Sequence, residues 1–534
     1  LRSPGGMASG YYAVLGAGRG LCLAVVAVCM AASMLCGAQA AGPFNHTVWT
    51  ANQTQYDAYL DARYALVLED ASMNVAAGVQ LSEDEQKAGM MLKLMQEQEL
   101  ARTLQAYPFQ YNFFHTRDII DSGNLINVLR AMPKGAALHE HLPSACSYNW
   151  FVKNATYRSD SYIFVLNDTY YEESYASHYN GTFRFYSSPP TAHDGVWWLT
   201  NDLRATSGDA DAFDEALIKE LTMEGQDFGD YYTIWDKFDE VFGKVSYALD
   251  YLPVFQGFML NQFLTYVDNG VTHLELRAGG LDWRLYDLDY NQYNPYDELI
   301  SLQNTFRETV APDFTVKVVY AVSRWHDRAY IAKALADCKA LMEIYPSLVV
   351  GFDLQGAEDE GHSLLYFADI LLPFQPHVPF YFHAGESLQP NNTNLYDAVM
   401  LDAKRIGHAY AMRNFPVLFD MVVERGIGIE LNPISNQILG LVSDMRNHAG
   451  QELVRRGLPV TISSDDPGIY GYDGTTYDWY MAFMAWQLGI AQLKQIAYNS
   501  LLHSSFTEAE FQAAESAWLE AWDGWVQDLL SAGF

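Results

Sequence analysis

GAALHEHL, residues 135–142, is the stretch on which the fold turns. Alternation along a strand puts His139 and His141 on one face and Glu140 on the other. The residues leading into the pair are small and apolar, as in a strand covered on both sides. Two imidazoles at the end of such a strand are either satisfied core groups or half of a metal site. The rest of the chain decides between them.

Working outward, seven further β-rich runs alternate with helical segments: GVTHLELRA (270–278), FTVKVVYAVS (314–323), SLVVGFDLQG (347–356), VPFYFHAGE (378–386), KRIGHAY (404–410), GIGIELNPIS (426–435) and LPVTISSDDP (458–467). Eight such runs with helices between them predict an α/β chain folded as a (β/α)8 TIM-type barrel. A doubly wound open sheet fits less well, because no Gly-rich phosphate loop accompanies the strands. The barrel is expected over residues 131–534, with a helical extension before it at 41–130. A Tyr-, Ser- and Asn-rich insertion follows the first strand at about 146–200. In the extension, Ser82 and Glu85 form a capping box before a stripe of Met90, Met91, Leu94 and Met95. That stripe either packs on the barrel or pairs two copies of the chain.

The chain has 534 residues, half of them apolar, which suits a large buried core. Its net charge of −33 repels nucleic acid and anionic membrane, so neither is an expected partner. Met7 is read as the start after a short leader. Arg19, the apolar run LCLAVVAVCMAASML and the small residues Ala38-Gln39-Ala40 then read as a cleaved secretory signal peptide, making residues 1–40 leader plus signal. Three of the five cysteines fall in that segment; Cys146 and Cys338 remain, and their spacing implies no pairing. Sequons at Asn45, Asn52, Asn154, Asn167, Asn180 and Asn391 fit a secreted, extracellular glycoprotein.

In a barrel of this kind, chemistry sits at the C-terminal ends of the strands. Those ends carry His139 and His141, Asp353 to Glu358, His383 and Glu386, His408, and Asp465 with Asp466. His, Glu or Asp at the ends of five separate strands is poorly explained by packing, so the metal reading prevails. His139, His141, His383 and Asp465 make an N/O set suited to one Zn2+ with room for a water whose pKa it would lower. Glu386 is placed to shuttle protons. His408 either accepts the water proton, stabilises developing charge, or supports the ligands. Asp466 is read as receiving a hydrogen bond from a ring nitrogen of the substrate, and Gly356 as leaving its backbone N–H open to it.

MPKGAALHEH, GFDLQGAED, FHAGES, RIGHAY, NPISNQ and SSDDPGIYG, in this order and spacing, resemble the adenosine deaminase family. The resemblance is strongest to its secreted branch, the adenosine deaminase-related growth factors, within the metal-dependent hydrolases. It extends over nearly all of the chain after the signal segment, including WDKFDEVF at 235–242. It implies deamination of adenosine, and of 2′-deoxyadenosine, to the inosine product, with one zinc per subunit. Glu386 would protonate N1 of the purine, His408 and Asp465 would orient the attacking oxygen, Asp466 would contact N7 and Gly356 the N3 side. Trp235 and Phe238, by themselves core aromatics of an amphipathic helix, would line the nucleoside pocket. The resemblance also implies a homodimer through the N-terminal helices and a growth-factor-like role toward a cell-surface receptor or glycan. A secreted receptor ligand with impaired catalysis and a zinc aminohydrolase acting on another nucleoside are the competing functions. The family carries an Asp just after the second histidine, where this chain has Leu142, Pro143 and Ser144; only Ser144 can replace its hydrogen bond. It also carries a histidine at the place of Ser323, with Arg324 and His326 as the neighbours able to compensate.

Overall fold

The computed structural model describes residues 52–166, 179–192, 195–225 and 231–532. The leader and signal segment and the sequons at Asn45 and Asn167 lie outside them, as does the side chain of Asn180. The chain divides into two units, residues 1–67 and 68–534. The described part of the first is the start of a helix, Gln53–Ala71, none of whose residues is buried.

In the second unit, all eight expected strands form: β1 Gly135–His141, β2 Val271–Ala278, β3 Thr315–Ser323, β4 Val349–Gln355, β5 His383–Ala384, β6 Arg405–His408, β7 Gly428–Leu431 and β8 Val460–Ile462. They make two four-stranded parallel sheets, β1-β2-β3-β4 and β5-β6-β7-β8. The seams between the sheets are isolated parallel bridges, Phe352 with Phe380 and Glu140 with Asp465, not continuous ladders. Each bridge carries backbone hydrogen bonds: Tyr381 N to Phe352 O at 3.0 Å, and Asp465 N to His139 O at 3.0 Å. The β4–β5 ladder goes no further toward the C-terminal ends because the His383 N–H donates to the Asp353 side chain, Oδ1, at 2.9 Å. β1 is buried along its whole length, as its small apolar sequence predicts. Glu140, facing away from the two histidines, accepts from Tyr266 Oη at 2.6 Å and from Ser464 N at 2.9 Å.

The excursion after β1 has a sheet of its own. Ser161–Leu166 lies between Tyr179–Phe185 and Gly195–Leu199, all antiparallel. Helices Thr200–Thr206 and Ala210–Glu220 follow and are tied together by Arg204 Nε donating to Asp214 Oδ1 at 2.8 Å. Tyr157, within the excursion, donates to the same Asp214 at 2.7 Å. The excursion therefore runs past residue 200, where its change of composition ends. Asn52, Asn154 and Asn391 are exposed.

Helix Glu83–Arg102 has the expected capping box, Ser82 with Glu85. The stripe read from the sequence is not the face it buries. Ala88, Leu92, Met95, Gln96 and Glu99 are buried, whereas Met90 and Leu94 are exposed and Met91 is half-buried. At 100° per residue Met90 and Leu94 stand beside the contact face, and Gln96 and Glu99 complete that face through hydrogen bonds: Gln96 Nε2 donates to Phe483 O and Tyr480 Oη to Glu99. Among the described residues no helix is long and apolar enough to cross a membrane.

Candidate metal centre

The C-terminal ends of the strands converge as the sequence predicts. His139 Nε2 lies 3.0 Å from His383 Nε2 and 3.3 Å from Asp465 Oδ1. His141 Nε2 lies 3.1 Å from the same Oδ1. All four side chains are buried. Gly407 on β6 lets the histidine cluster close up, since a Cβ there would come within 2.7 Å of the His139 ring. Asp465 and His408 hold left-handed backbone, φ 66° and 60°, a strain kept where the surroundings fix a functional geometry.

Two of the imidazoles have their far nitrogen engaged by a carboxylate. His139 Nδ1 donates to Glu430 Oε2 at 2.7 Å, and His383 Nδ1 to Asp353 Oδ2 at 2.7 Å. Neutral rings so held present bare lone pairs at Nε2. Two lone pairs 3.0 Å apart, facing a buried Asp465 Oδ1 that has no hydrogen-bond partner, make a repulsive arrangement unless a cation sits among them. Three imidazole nitrogens and one carboxylate oxygen are the donor set of a borderline divalent metal. The residues present fit a metal ion.

Beneath the cluster lies a layer that the strand-end reading does not reach. Arg277 donates to Asp353 Oδ2 at 2.9 Å and to Glu430 Oε2 at 2.6 Å. Arg405 donates to Glu430 Oε1 at 2.5 Å and to Glu275 Oε2 at 2.6 Å. Burial raises the pKa of Glu430 and Asp353 but is outweighed, for Glu430 by the charges of Arg277 and Arg405 and for Asp353 by the hydrogen bond from His383 and the charge of Arg277. Both carboxyls end well below the usual range. The signal in the sequence was a charge inside each apolar run: Arg277 in THLELRA, Arg405 in KRIGH and Glu430 in GIEL.

Above the cluster is a cavity of about 140 Å3, bounded by His141, Trp235, Phe238, Gly356, Glu386 and Asp466 among others. The sequence-predicted residues thus meet around one space, and His139 lies fully buried beneath it. Trp235 and Phe238 meet edge to face, centroids 5.5 Å apart. Glu386 is buried, and burial followed by the charge of Asp465 drives its pKa well up. Its Oε1 has no hydrogen-bond partner and lies 3.4 Å from His408 Nδ1. Burial pushes His408 down, keeping it neutral, and its Nε2 lies 3.7 Å from Asp465 Oδ2. That same Oδ2 accepts from Ser435 Oγ at 2.7 Å.

Burial and then the charge of Asp465 hold the Asp466 carboxyl well up. Two expectations change. Ser144, the stand-in for a sugar contact, instead donates to Asp466 Oδ1. Arg324 and His326 do not line the cavity: Arg324 Nη2 donates to the carbonyls of His383 and Leu354, and His326 stacks on Tyr330. Ser323 lines the cavity itself. A second cavity of about 540 Å3, lined by Leu142, Pro143, Trp283 and Asp250 among others, shares Phe242 and Gln355 with the first.

The adenosine deaminase family model matches residues 269–516, and the adenosine/AMP deaminase N-terminal model matches residues 24–129. The chain is 37% identical over 489 residues to adenosine deaminase 2 of Dictyostelium discoideum, covering 89% of this chain and 88% of that protein. It is 32% identical over 492 residues to adenosine deaminase 2 of Homo sapiens, covering 88% and 93%. Among solved structures it is similar to an N6-mAMP deaminase from Arabidopsis, with a TM-score of 0.51 at 14% identity over 73% of this chain and 99% of that one.

Proposed function

This chain belongs to the adenosine deaminase family, and on that premise we propose that it is an extracellular zinc-dependent enzyme converting adenosine, and 2′-deoxyadenosine, with water to inosine or its deoxy counterpart and ammonia. The observation that carries the reading is the buried donor set, His139, His141, His383 and Asp465, beside a buried Glu386, whose pKa burial raises, on the wall of one cavity. A zinc ion held by those four residues supplies Lewis acidity, lowering the pKa of water so that a nucleophile exists at neutral pH.

The chain's own residues do the rest. The cavity of about 140 Å3 suits a purine ring, with Trp235 and Phe238 as its apolar walls. The wider cavity beyond Phe242 and Gln355 is open to the sugar. N7 of the purine carries no hydrogen, so a partner there must donate. Asp466, kept neutral and with Oδ1 already taken by Ser144, donates through Oδ2. Gly356, at φ 98°, brings its backbone N–H to the opposite edge of the ring. Glu386 gives its proton to N1, which makes C6 electrophilic; the resulting carboxylate takes the remaining proton of the oxygen added at C6 and passes it to the amine, which leaves as ammonia while the C6 carbonyl forms. His408 and Asp465 Oδ2, anchored by Ser435, orient the incoming oxygen.

The signal segment and the exposed sequons support secretion, and the exposed Met90 and Leu94 support pairing of two copies through the N-terminal helices. The test is ammonia release from adenosine by the purified secreted protein, before and after a chelator and again after zinc is restored. Chelator-sensitive release recovered with zinc is the expected result. No release from adenosine or 2′-deoxyadenosine by zinc-loaded protein would overturn the proposal.

A further inference from the structure

Behind His408 the structure holds a chain of hydrogen bonds whose direction is fixed at one end. Gly450 donates its backbone N–H to His448 Nδ1 at 2.9 Å. A ring nitrogen that accepts carries no proton, so the neutral His448 ring has its hydrogen on Nε2. Nε2 lies 3.0 Å from Asn436 Oδ1 and donates to it. The Asn436 amide is thereby oriented, and its Nδ2 donates to His408 Nδ1 at 3.0 Å. The reverse orientation would set the Asn436 amide hydrogens against His448 Nε2–H. His408 Nδ1 is therefore the acceptor, and the proton of the neutral ring sits on Nε2, the nitrogen that faces Asp465 Oδ2 and the cavity.

We propose that Asn436 and His448 are positioning residues that fix the tautomer of His408, so that it meets the attacking oxygen as an Nε2–H donor and not as a base. The inference deepens the deaminase reading and rests on it for the identity of that oxygen. It settles the choice among the roles His408 can take. A proton on Nε2 cannot also leave a lone pair there to receive one from water, so His408 stabilises developing negative charge. The surroundings keep His448 in the required state. It is buried against Trp486 and Tyr410, at ring centroid distances of 5.3 Å each, and burial together with Arg413 lowers its pKa to about 3.

The relay is testable because Asn436→Asp changes almost no volume. The carboxylate it introduces accepts from both rings, which draws the His408 proton to Nδ1 and leaves Nε2 bare. The readouts are nitrogen NMR of histidine-labelled, zinc-loaded protein and steady-state kinetics with adenosine. The expected result is that the His408 Nε2 resonance changes from protonated to bare while zinc content is retained. With it, kcat falls by about 100-fold or more at little change in KM, in line with the roughly 10⁴-fold loss known for a wrong catalytic tautomer. His448→Asn is the second variant. Asn remains a good cap for the helix that His448 begins, Ala449–Arg455, but is too short to reach Asn436. Its expected effect is a smaller fall in kcat with mixed His408 tautomers. A protonated His408 Nε2 in Asn436→Asp, or kcat within about threefold of the unmodified enzyme in both variants, would overturn the proposal. The NMR result stands apart from the substrate, so a failure of the deaminase reading shows separately, as unmodified protein that releases no ammonia.

Discussion

Replacing Glu430 by Gln tests the layer beneath the metal centre. The carboxylate accepts from His139 Nδ1 at 2.7 Å, Arg277 Nη2 at 2.6 Å and Arg405 Nε at 2.5 Å, and none of these groups reaches solvent. Gln has nearly the same shape but one acceptor oxygen, and its NH2 must face one of the donors. Charge-assisted bonds of this kind contribute about 1.5–3 kcal/mol each. Arg277 keeps Asp353 and Arg405 keeps Glu275, so neither guanidinium is left wholly unpaired. The expected loss is therefore about 3–5 kcal/mol, the range for removing one partner of a buried ion pair. The second consequence concerns the metal. With Nδ1 of His139 no longer held by an anion, its Nε2 is a weaker and less fixed ligand, and affinity is expected to fall about 10–100-fold. Urea unfolding of the zinc-loaded protein, read by tryptophan fluorescence, measures the first effect. Competition with a zinc indicator measures the second. A Glu430→Gln protein within about 1 kcal/mol of the unmodified one, with unchanged zinc affinity, would refute the reasoning.

Other consequences follow from single residues. Burial, eased in part by Arg184, raises Asp250 to about 6. The folded protein then binds a proton more tightly than the unfolded chain, so stability falls as pH rises from about 4 to 6. Asp250→Asn should therefore be the more stable protein at pH 8, by about 1–2 kcal/mol, with the advantage gone at pH 3.5; thermal melts at both pH values check this, and equal melting shifts would contradict it. Ser144→Ala removes the donor that orients Asp466 and should lower kcat/KM for adenosine by about tenfold, roughly the 1–2 kcal/mol of one hydrogen bond, with zinc content unchanged. Gly356→Ala meets no atom closer than 3.6 Å but must hold φ at 98°. It should cost about 1–3 kcal/mol of stability through backbone strain and raise KM, which unfolding and kinetics report together.

What the sequence revealed was chemistry carried by contiguous residues. GAALHEH, FHAGE and SSDD each join an apolar strand to histidines or carboxylates at its end, so both the strand and its polar tip are visible in one run. What it hid was pairing at a distance. Glu430 meets His139 across 291 positions and Asp466 meets Ser144 across 322. A charge in a strand does not announce which turn of the barrel it faces. The upward pull on the Asp466 carboxyl was equally hidden, because it arises from burial next to Asp465 and not from residue type. The exposed Met90 and Leu94 mark another limit: apolar spacing gives a helical stripe, while neighbouring elements decide which stripe is covered.

The central claim is that Glu386 supplies the proton and the histidine–aspartate cluster the metal. Ammonia release from adenosine by Glu386→Gln, beside the unmodified protein at equal zinc content, tests it most directly. The account predicts a fall in rate of about 10²–10⁴-fold with zinc retained, since Glu386 is not one of the four proposed ligands. A variant that deaminates adenosine at the unmodified rate would contradict it.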